Sequence, residues 1–219
     1  MQKNRIELLV FDWDGTLADS TALIVDAMQT AINQLQYQAR SNAQIRNVIG
    51  LGLVEAAQTL FPGMERGDHE LIGTCYRLHY ARRAHETSLF QDVPVTLRKL
   101  HEKGYRLAIA TGKSRKGLDT SLRHAGLEGM FHATRCADET RSKPHPQMLY
   151  EILKELDIRP DHTVMIGDSE YDMEMALNAG ISSLAVSYGV HDSTRLLKYK
   201  PLACLDSLAD LLDWLPASH

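Results

Sequence analysis

Short apolar strands alternate with helices along most of this chain, and this alternation constrains its fold more than any other feature. Predicted strands lie at residues 6–10, 105–110, 131–134, 163–167, 181–186 and 202–205. Predicted helices lie at about residues 93–103, 115–125, 146–156, 170–179 and 208–214. Such alternation is typical of βαβ units, in which helices cover both faces of a parallel sheet. The sequence therefore predicts an α/β fold with a Rossmann-like parallel sheet.

The stretch that follows the first strand interrupts this alternation. Up to about residue 87 its apolar residues recur at helical spacing, and we find no convincing strand pattern there. Asp19 and Ser20 can cap the first helix of the stretch. Further helices are predicted at residues 41–49, 53–60 and 68–84. We therefore predict an inserted all-α domain at residues 18–87, with residues 1–17 and 88–219 forming the α/β core.

Polar residues stand directly after several of the predicted strands. Asp12 and Asp14 follow the first strand, Thr111 follows the second and Asp168 follows the strand at 163–167. Lys143 lies in a connecting loop. Because ligands of open parallel sheets bind at the carboxyl ends of the strands, we expect these side chains to meet at one edge.

Two carboxylates at positions i and i+2 are costly at the end of a buried strand. They repel each other and lose hydration, so they need a cation or a proton between them. A hairpin turn at Asp14-Gly15 and a solvated strand end without chemistry remain open alternatives. An EF-hand calcium loop starting at Asp12 is excluded, because its sixth residue would be Gly and its twelfth an acid; here Gly15 is fourth and Leu23 is twelfth.

Composition narrows the class of partner. A formal net charge of −4 provides no general basic face for nucleic acid or for an anionic membrane. No apolar run approaches the roughly 20 residues of a membrane span, and Met1–Arg5 lacks the apolar region of a signal peptide. A disulfide framework and a structural zinc site are not expected from the three distant cysteines, Cys75, Cys136 and Cys204. We therefore predict a cytoplasmic protein that binds neither nucleic acid nor a membrane.

Four short motifs, taken together, resemble those of the haloacid dehalogenase-like superfamily of phosphohydrolases. They occur in the order of that family and extend over the whole chain: Asp12-x-Asp14-Gly15-Thr16, Thr111-Gly112, Lys143-Pro144 and Gly167-Asp168-Ser169-x-x-Asp172. Each stands at a predicted strand end or in a loop. The resemblance implies a phosphatase that acts on a small phosphorylated metabolite.

The resemblance also implies a role for each matching residue. Asp12 would be the nucleophile that forms an aspartyl-phosphate, a known use of a carboxylate in covalent catalysis. Asp14 would act as general acid and then as general base. Thr111 would hydrogen-bond a phosphoryl oxygen, helped by backbone N–H groups of the loop at Gly112. Lys143 would neutralise phosphoryl charge and pair with the acids. In isolation, Thr111 could equally be an N-cap and Lys143 a surface residue.

A magnesium ion is the cofactor that the resemblance implies. Its ligands would be a carboxylate oxygen of Asp12, the backbone carbonyl of Asp14, and Asp168, with Asp172 acting through a bound water. A hard cation with oxygen ligands is also what neighbouring acids need to remain ionised together. An alternative for Asp172 is a helix capping box with Ser169.

The position of the insert, directly after the first motif, resembles the subgroup that includes phosphoglycolate phosphatases and β-phosphoglucomutases. There the insert is a cap domain, and we expect Arg46 to face the substrate; a solvated helix face is the alternative. A phosphomutase and a non-catalytic regulatory protein stay open. The stretch between Thr16 and Phe90 has no lysine, which argues against phosphonate hydrolases and weakens the mutase. Asp14 argues against a dehalogenase, since a leaving halide needs no proton.

Overall fold

The computed structural model of the chain describes residues 6–215, and the segment Met1–Arg5 considered above lies outside the described residues. The strands are β1 Leu8–Phe11, β2 Ala18–Asp19, β3 Ser88–Leu89, β4 Arg106–Thr111, β5 Ala133–Cys136, β6 Thr163–Gly167, β7 Ser182–Val186 and β8 Cys204–Leu205. The helices are α1 Thr21–Gln34, α2 Asn42–Arg46, α3 Leu53–Leu60, α4 Arg66–Arg83, α5 Val93–Glu102, α6 Arg115–Ala125, α7 Gln147–Leu156, α8 Glu170–Ala179, α9 Ser193–Leu196 and α10 Asp210–Trp214. Short 3-10 turns occur at Ala84–Glu86, Pro160–His162 and Leu197–Tyr199.

Six strands form one parallel sheet in the order β5-β4-β1-β6-β7-β8. β1 lies in the middle, where Val10 is in register with Ala108 of β4 on one side and with Met165 of β6 on the other. The later strands are therefore added first on one side of β1 and then on the other. The place where the strand order reverses in this way is the switch point at which open α/β sheets bind ligands. The predicted α/β fold with a parallel sheet is confirmed.

Both faces of the sheet are covered by helices, which explains the uninterrupted apolar sequence of β1. Leu9 and Phe11 point to one face and join a core with α5, α6 and α10. Leu8 and Val10 point to the other face and join a core with α7 and α8. All four side chains are fully buried.

The four helices α1 to α4, here called the helical unit (residues 21–83), have a hydrophobic cluster of their own. Its most deeply buried members come from all four helices: Ala31, Ile32, Ile45, Ala57 and Ile72. The chain enters and leaves the unit through the antiparallel pair β2 and β3, with Ala18 opposite Leu89. Sequence patterns missed this pair because two-residue strands have no periodicity. That residues 18–87 are a separate domain stays a prediction.

Local structure at the start of the helical unit corrects one prediction. Ser20 occupies the N-cap position of α1, but its side chain makes no capping hydrogen bond. Its hydroxyl instead donates to Oδ1 of Asp14 at 2.6 Å. A hydrogen bond between the Ser20 hydroxyl and a charged carboxylate is stronger than one between this hydroxyl and a neutral backbone N–H. The hydroxyl therefore turns toward Asp14. Ser41, by contrast, forms a full capping box with Gln44 at the start of α2.

Two further properties of the described chain bear on its environment. No helix within residues 6–215 has both the length and the apolar character needed to cross a membrane. The thiols of Cys75, Cys136 and Cys204 are all free.

Candidate active site

Strand ends and one loop bring the predicted polar residues together at the carboxyl edge of the sheet. The backbone N–H of Asp12 donates to the carbonyl of Ile166 at 3.0 Å, so the ladder of β1 continues into the first motif. Thr111 is the last residue of β4, and Asp168 follows β6 directly. Lys143 reaches the same edge from the loop between β5 and α7. The predicted convergence of the four motifs is therefore present.

Three buried carboxylates form the centre of this edge. Asp12, Asp168 and Asp172 are each at most 1% exposed, and each offers an oxygen within 4.8 Å of the others. Burial raises the pKa of Asp12 well above its ordinary value, and the charges of Asp172 and Asp168 add to the rise. Burial, followed by repulsion from Asp172, raises the pKa of Asp168 to about 7. The three acids therefore require positive charge to remain ionised together.

Lys143 supplies part of that charge. Its Nζ lies 2.8 Å from Oδ1 of Asp12 and 2.6 Å from Oδ1 of Asp172, and the side chain is fully buried. Burial alone would lower the pKa of Lys143, but attraction to these two carboxylates raises it above its ordinary value. Lys143 is therefore a charged residue of the site.

One oxygen of Asp12 has no partner among the described residues. Oδ1 accepts hydrogen bonds from the backbone N–H of Trp13 at 2.6 Å and from Lys143, whereas the buried Oδ2 accepts none. A buried carboxylate oxygen without a partner is costly, so a position like this one is suited to a ligand. Together with the oxygens of Asp168 and Asp172 it forms a hard-oxygen donor set that could hold a divalent cation such as Mg²⁺.

Asp168 is held in place by hydrogen bonds and by close backbone approach. Thr16 donates its hydroxyl to Oδ1 at 2.7 Å, and the backbone N–H of Val190 donates to Oδ2 at 2.8 Å. Two glycines make room for the side chain. A Cβ at Gly189 would lie 2.1 Å from Cβ of Asp168, and a Cβ at Gly15 would lie 2.2 Å from its Oδ2.

Asp172 takes part in both a helix capping box and the acidic cluster. Its Oδ2 accepts the backbone N–H of Ser169 at 3.1 Å, and its own N–H donates to the Ser169 hydroxyl, which is a complete capping box for α8. Its Oδ1 belongs to the ion pair with Lys143. The capping box therefore aims Asp172 at the cluster. That it also holds a metal-bound water stays a prediction.

Asp14 lies at the opening of the cluster beside a lysine that the motifs did not include. Nζ of Lys113 lies 2.9 Å from Oδ1 and 3.1 Å from Oδ2 of Asp14. The same ammonium donates to the hydroxyl of Tyr80 in α4 at 3.1 Å. Lys113 stands two residues after Thr111, and this spacing could have identified it. No local pattern marks Tyr80, because its contact depends on how α4 lies against the core.

Thr111 and Gly112 occupy the loop after β4. Oγ1 of Thr111 accepts the backbone N–H of Lys113 at 3.2 Å, and the N-cap of α6 is Ser114 rather than Thr111. A Cβ at Gly112 would lie 2.4 Å from the carbonyl oxygen of Leu51. Gly112 therefore permits a close contact between this loop and the helical unit. The predicted phosphoryl and substrate contacts of Thr111 and Gly112 stay predictions.

The helical unit contacts the loops of two other motifs. The backbone N–H of Gly52 donates to the Ser142 hydroxyl at 2.7 Å, next to Lys143. The Tyr171 hydroxyl donates to the Asn47 carbonyl at 2.7 Å. Arg46 is exposed at the last position of α2, and its predicted contact with substrate stays a prediction.

Comparison with known proteins supports the assignment that this geometry suggests. A family model described as haloacid dehalogenase-like hydrolase matches residues 9–186. The phosphoglycolate phosphatase of Vibrio vulnificus is 32% identical over 97% of both chains. The pyrophosphatase PpaX of Bacillus mycoides is 29% identical over 95% of this chain and 96% of its own. A solved structure of a haloacid dehalogenase-like family protein from Streptococcus pneumoniae superimposes with a TM-score of 0.84, at 24% identity, over 99% of this chain and 100% of that one, which shows a shared fold. The chain belongs to the haloacid dehalogenase-like hydrolases.

Proposed function

We propose that this protein is a Mg²⁺-dependent phosphatase that hydrolyses a small phosphate monoester through an aspartyl-phosphate on Asp12. The observation that carries the proposal is the unpartnered, buried Oδ2 of Asp12 beside a charged lysine. The relatives named as phosphoglycolate phosphatase and pyrophosphatase support the same chemistry.

In the first step a carboxylate oxygen of Asp12 attacks phosphorus, and the bond from phosphorus to the leaving oxygen breaks. Asp14 gives its proton to that oxygen. Asp14 stands two residues after Asp12, beyond a bend at Trp13, and in this proposal its carboxyl reaches the same phosphoryl group. In the second step Asp14 takes a proton from water, the water oxygen bonds to phosphorus, and the carboxylate of Asp12 leaves.

Charge on the transferring group is balanced by this chain's own cation and by the metal. Lys143 lies 2.8 Å from Oδ1 of Asp12, so its ammonium is close to any phosphoryl group bonded to that carboxyl. Mg²⁺ would be held by Asp12, the backbone carbonyl of Asp14 and Asp168, with Asp172 orienting a water. When bound, the ion neutralises negative charge on the phosphoryl oxygens.

Loops around the site and the helical unit provide the other contacts with the substrate. Thr111 and backbone N–H groups at Gly112 hydrogen-bond phosphoryl oxygens in this proposal. The helical unit acts as a cap that excludes water during the first step, and Arg46 contacts the substrate from it. The loop at Gly50–Gly52, which contacts the core at Gly112 and Ser142, is where such a cap meets the catalytic residues.

The nucleophile is tested with p-nitrophenyl phosphate. Asp12→Asn keeps the shape of the side chain but removes its nucleophilic charge, so we expect kcat to fall at least about 1,000-fold in the presence of Mg²⁺. Asp213→Asn, at an exposed aspartate of α10, is the matched control and should have wild-type kcat. Asp12→Asn with wild-type activity would overturn the proposal.

A second variant tests the covalent intermediate. p-Nitrophenolate leaves without a proton, so Asp14→Asn should still complete the first step with this substrate. The second step still needs a base, so we expect a burst of p-nitrophenolate equal to the enzyme concentration, followed by slow turnover. Phosphate bound to acid-quenched Asp14→Asn protein should accumulate in parallel. A linear time course with no bound phosphate would contradict the aspartyl-phosphate.

A further inference from the structure

Lys113 is a buried cation at the site to which the proposed reaction gives no role. Its side chain is 8% exposed, and its ammonium contacts Asp14 and Tyr80. The Tyr80 ring also lies against it, with Nζ 4.7 Å from the ring centroid. A lysine ammonium desolvated to this degree needs an anionic partner at all times.

Each of the two lysines of the site forms an ion pair with a different acid of the first motif. Lys143 pairs with Asp12, on the side where phosphorus is bonded. Lys113 pairs with Asp14, on the side where the leaving oxygen receives its proton. Positive charge therefore lies on both sides of the bond that breaks.

We propose, on the basis of the function above, that Lys113 is the specificity-determining residue of this site and binds a negatively charged group of the leaving group. In the structure both Asp14 oxygens accept hydrogen bonds from Lys113. A substrate whose leaving group carries a carboxylate or a second phosphate gives Lys113 a new anionic partner. Asp14, released from the ion pair, takes up a proton from solvent and turns toward the leaving oxygen, to which it gives that proton.

A neutral leaving group cannot replace Asp14 as the anionic partner of Lys113. With an alcohol in place, Asp14 can leave Lys113 only at the cost of an unpaired buried ammonium. Within residues 6–215 the ion pair found for Lys113 is the one with Asp14, and the other groups that act on its ammonium are the uncharged Tyr80 and Tyr76, whose ring centroids are 5.8 Å apart on α4. The site therefore favours short phosphate esters or anhydrides with an anionic leaving group over esters of neutral alcohols.

Tyr80 is the positioning residue for this cation. Its hydroxyl accepts from Nζ of Lys113 at 3.1 Å, and it belongs to the helical unit rather than to the core. The helical unit thereby sets where the ammonium lies relative to Asp14. Selectivity for the leaving group depends in this way on a contact between the two parts of the molecule.

The test compares two substrates of similar size: phosphoglycolate, with a carboxylate, and 2-hydroxyethyl phosphate, with a neutral hydroxymethyl group in its place. Both leaving groups are alkoxides that need a proton. The wild-type protein should prefer phosphoglycolate in kcat/KM, and Lys113→Met should reduce that preference about 10- to 100-fold, the loss expected for a charged hydrogen bond. Lys113→Arg keeps the charge and should keep part of the preference.

Two more variants complete the comparison. Lys116→Met, at an exposed lysine in the first turn of α6, should leave the preference unchanged. Tyr80→Phe should raise KM for phosphoglycolate about tenfold, since a hydrogen bond to the charged ammonium of Lys113 is lost. An equal loss for both substrates in Lys113→Met would overturn the specificity role and leave the phosphatase proposal intact. Turnover of both substrates that survives in Asp12→Asn would overturn the phosphatase proposal itself.

Discussion

The floor and the roof of this site are held in different ways. The floor, formed by Asp12, Lys143, Asp168 and Asp172, consists of fully buried charges within a few ångströms of one another. The roof, formed by the residues of the helical unit that contact the core, is held by separate hydrogen bonds and by backbone approach: Gly52 donates to Ser142, and Asn47 accepts from both Tyr171 and Arg195. The arrangement of the floor thus depends on the balance of buried charges, whereas the position of the roof depends on hydrogen bonds and on backbone contacts.

This contrast between floor and roof predicts that substitutions in the two regions differ in their free-energy cost. Breaking a buried ion pair by removing one partner costs about 3–5 kcal/mol, because the other charge remains buried. Removing one neutral hydrogen bond costs about 0.5–1.5 kcal/mol. Substitutions in the floor should therefore affect both folding and chemistry, whereas substitutions in the roof should affect mainly the affinity for substrate.

The largest effect is expected for Lys143→Met. The variant leaves Asp12 and Asp172 without the cation between them, so the free energy of unfolding should fall by about 3–5 kcal/mol in the presence of a chelator. Phosphatase activity should fall at least about 1,000-fold, since a positioned charge at the reacting group is lost. Urea denaturation followed by circular dichroism gives the first quantity, and steady-state kinetics gives the second.

Lys154→Met is the control for this variant, because Lys154 is an exposed lysine of α7. Its free energy of unfolding should stay within about 0.5 kcal/mol of the wild type. If Lys143→Met unfolded at the same urea concentration as Lys154→Met, charge balance would not be what holds the floor.

A smaller effect is expected for Gly189→Ala. The new Cβ would lie 2.1 Å from Cβ of Asp168, so Asp168 must move away from its hydrogen bonds with Thr16 and Val190. A displacement of about 1 Å at a catalytic group can reduce activity about 100-fold. We expect kcat/KM to fall by that factor, and the Mg²⁺ concentration for half-maximal activity to rise.

Gly67→Ala provides the matched glycine control in α4. Apart from its chain neighbours and the backbone of its own helix, no described atom lies within 4 Å of the position that its Cβ would occupy. Alanine is the better helix former by about 1 kcal/mol, so this variant should be as stable as the wild type or slightly more stable, with unchanged kinetics. Equal kinetics for Gly189→Ala and Gly67→Ala would show that the floor tolerates displacement of Asp168.

The floor was predictable from sequence, and most of the roof was not. Asp12 and Asp168 each follow a buried strand, and parallel strands bring such positions to one edge whatever else the chain does. Lys143 was identified by its motif alone, and its pairing with Asp12 agrees with the expectation of a cation among the acids. Strand order was not needed for any of these predictions.

Contacts of the roof depend on tertiary placement that periodicity does not encode. Helical spacing predicted α4, but nothing local indicates that Tyr80 meets Lys113, a residue 33 positions further along the chain. Ser20 has the sequence of an N-cap, yet its hydroxyl binds Asp14, because a nearby charge outweighs a local preference. Sequence reasoning fails here where a residue has two possible partners and only the fold decides between them.

The smallest effect is expected for Tyr171→Phe, which tests the roof alone. The variant removes the hydrogen bond from the Tyr171 hydroxyl to the Asn47 carbonyl, 2.7 Å long, and keeps the ring. A loss of about 0.5–1.5 kcal/mol corresponds to about a two- to tenfold rise in KM, with kcat within about twofold of the wild type. Steady-state kinetics with p-nitrophenyl phosphate measures both.

Tyr150→Phe is the control, because the Tyr150 hydroxyl donates to the Asn178 carbonyl at 3.0 Å, a contact of the same chemistry inside the core. Tyr150→Phe should leave KM unchanged, since this hydrogen bond joins α7 to α8 and not the core to the helical unit. Tyr171 precedes Asp172, so a disturbance passed on to the floor would appear as a fall in kcat. Tyr171→Phe with reduced kcat and wild-type KM would therefore show that floor and roof are coupled through α8, and the separation argued from their energies would not hold.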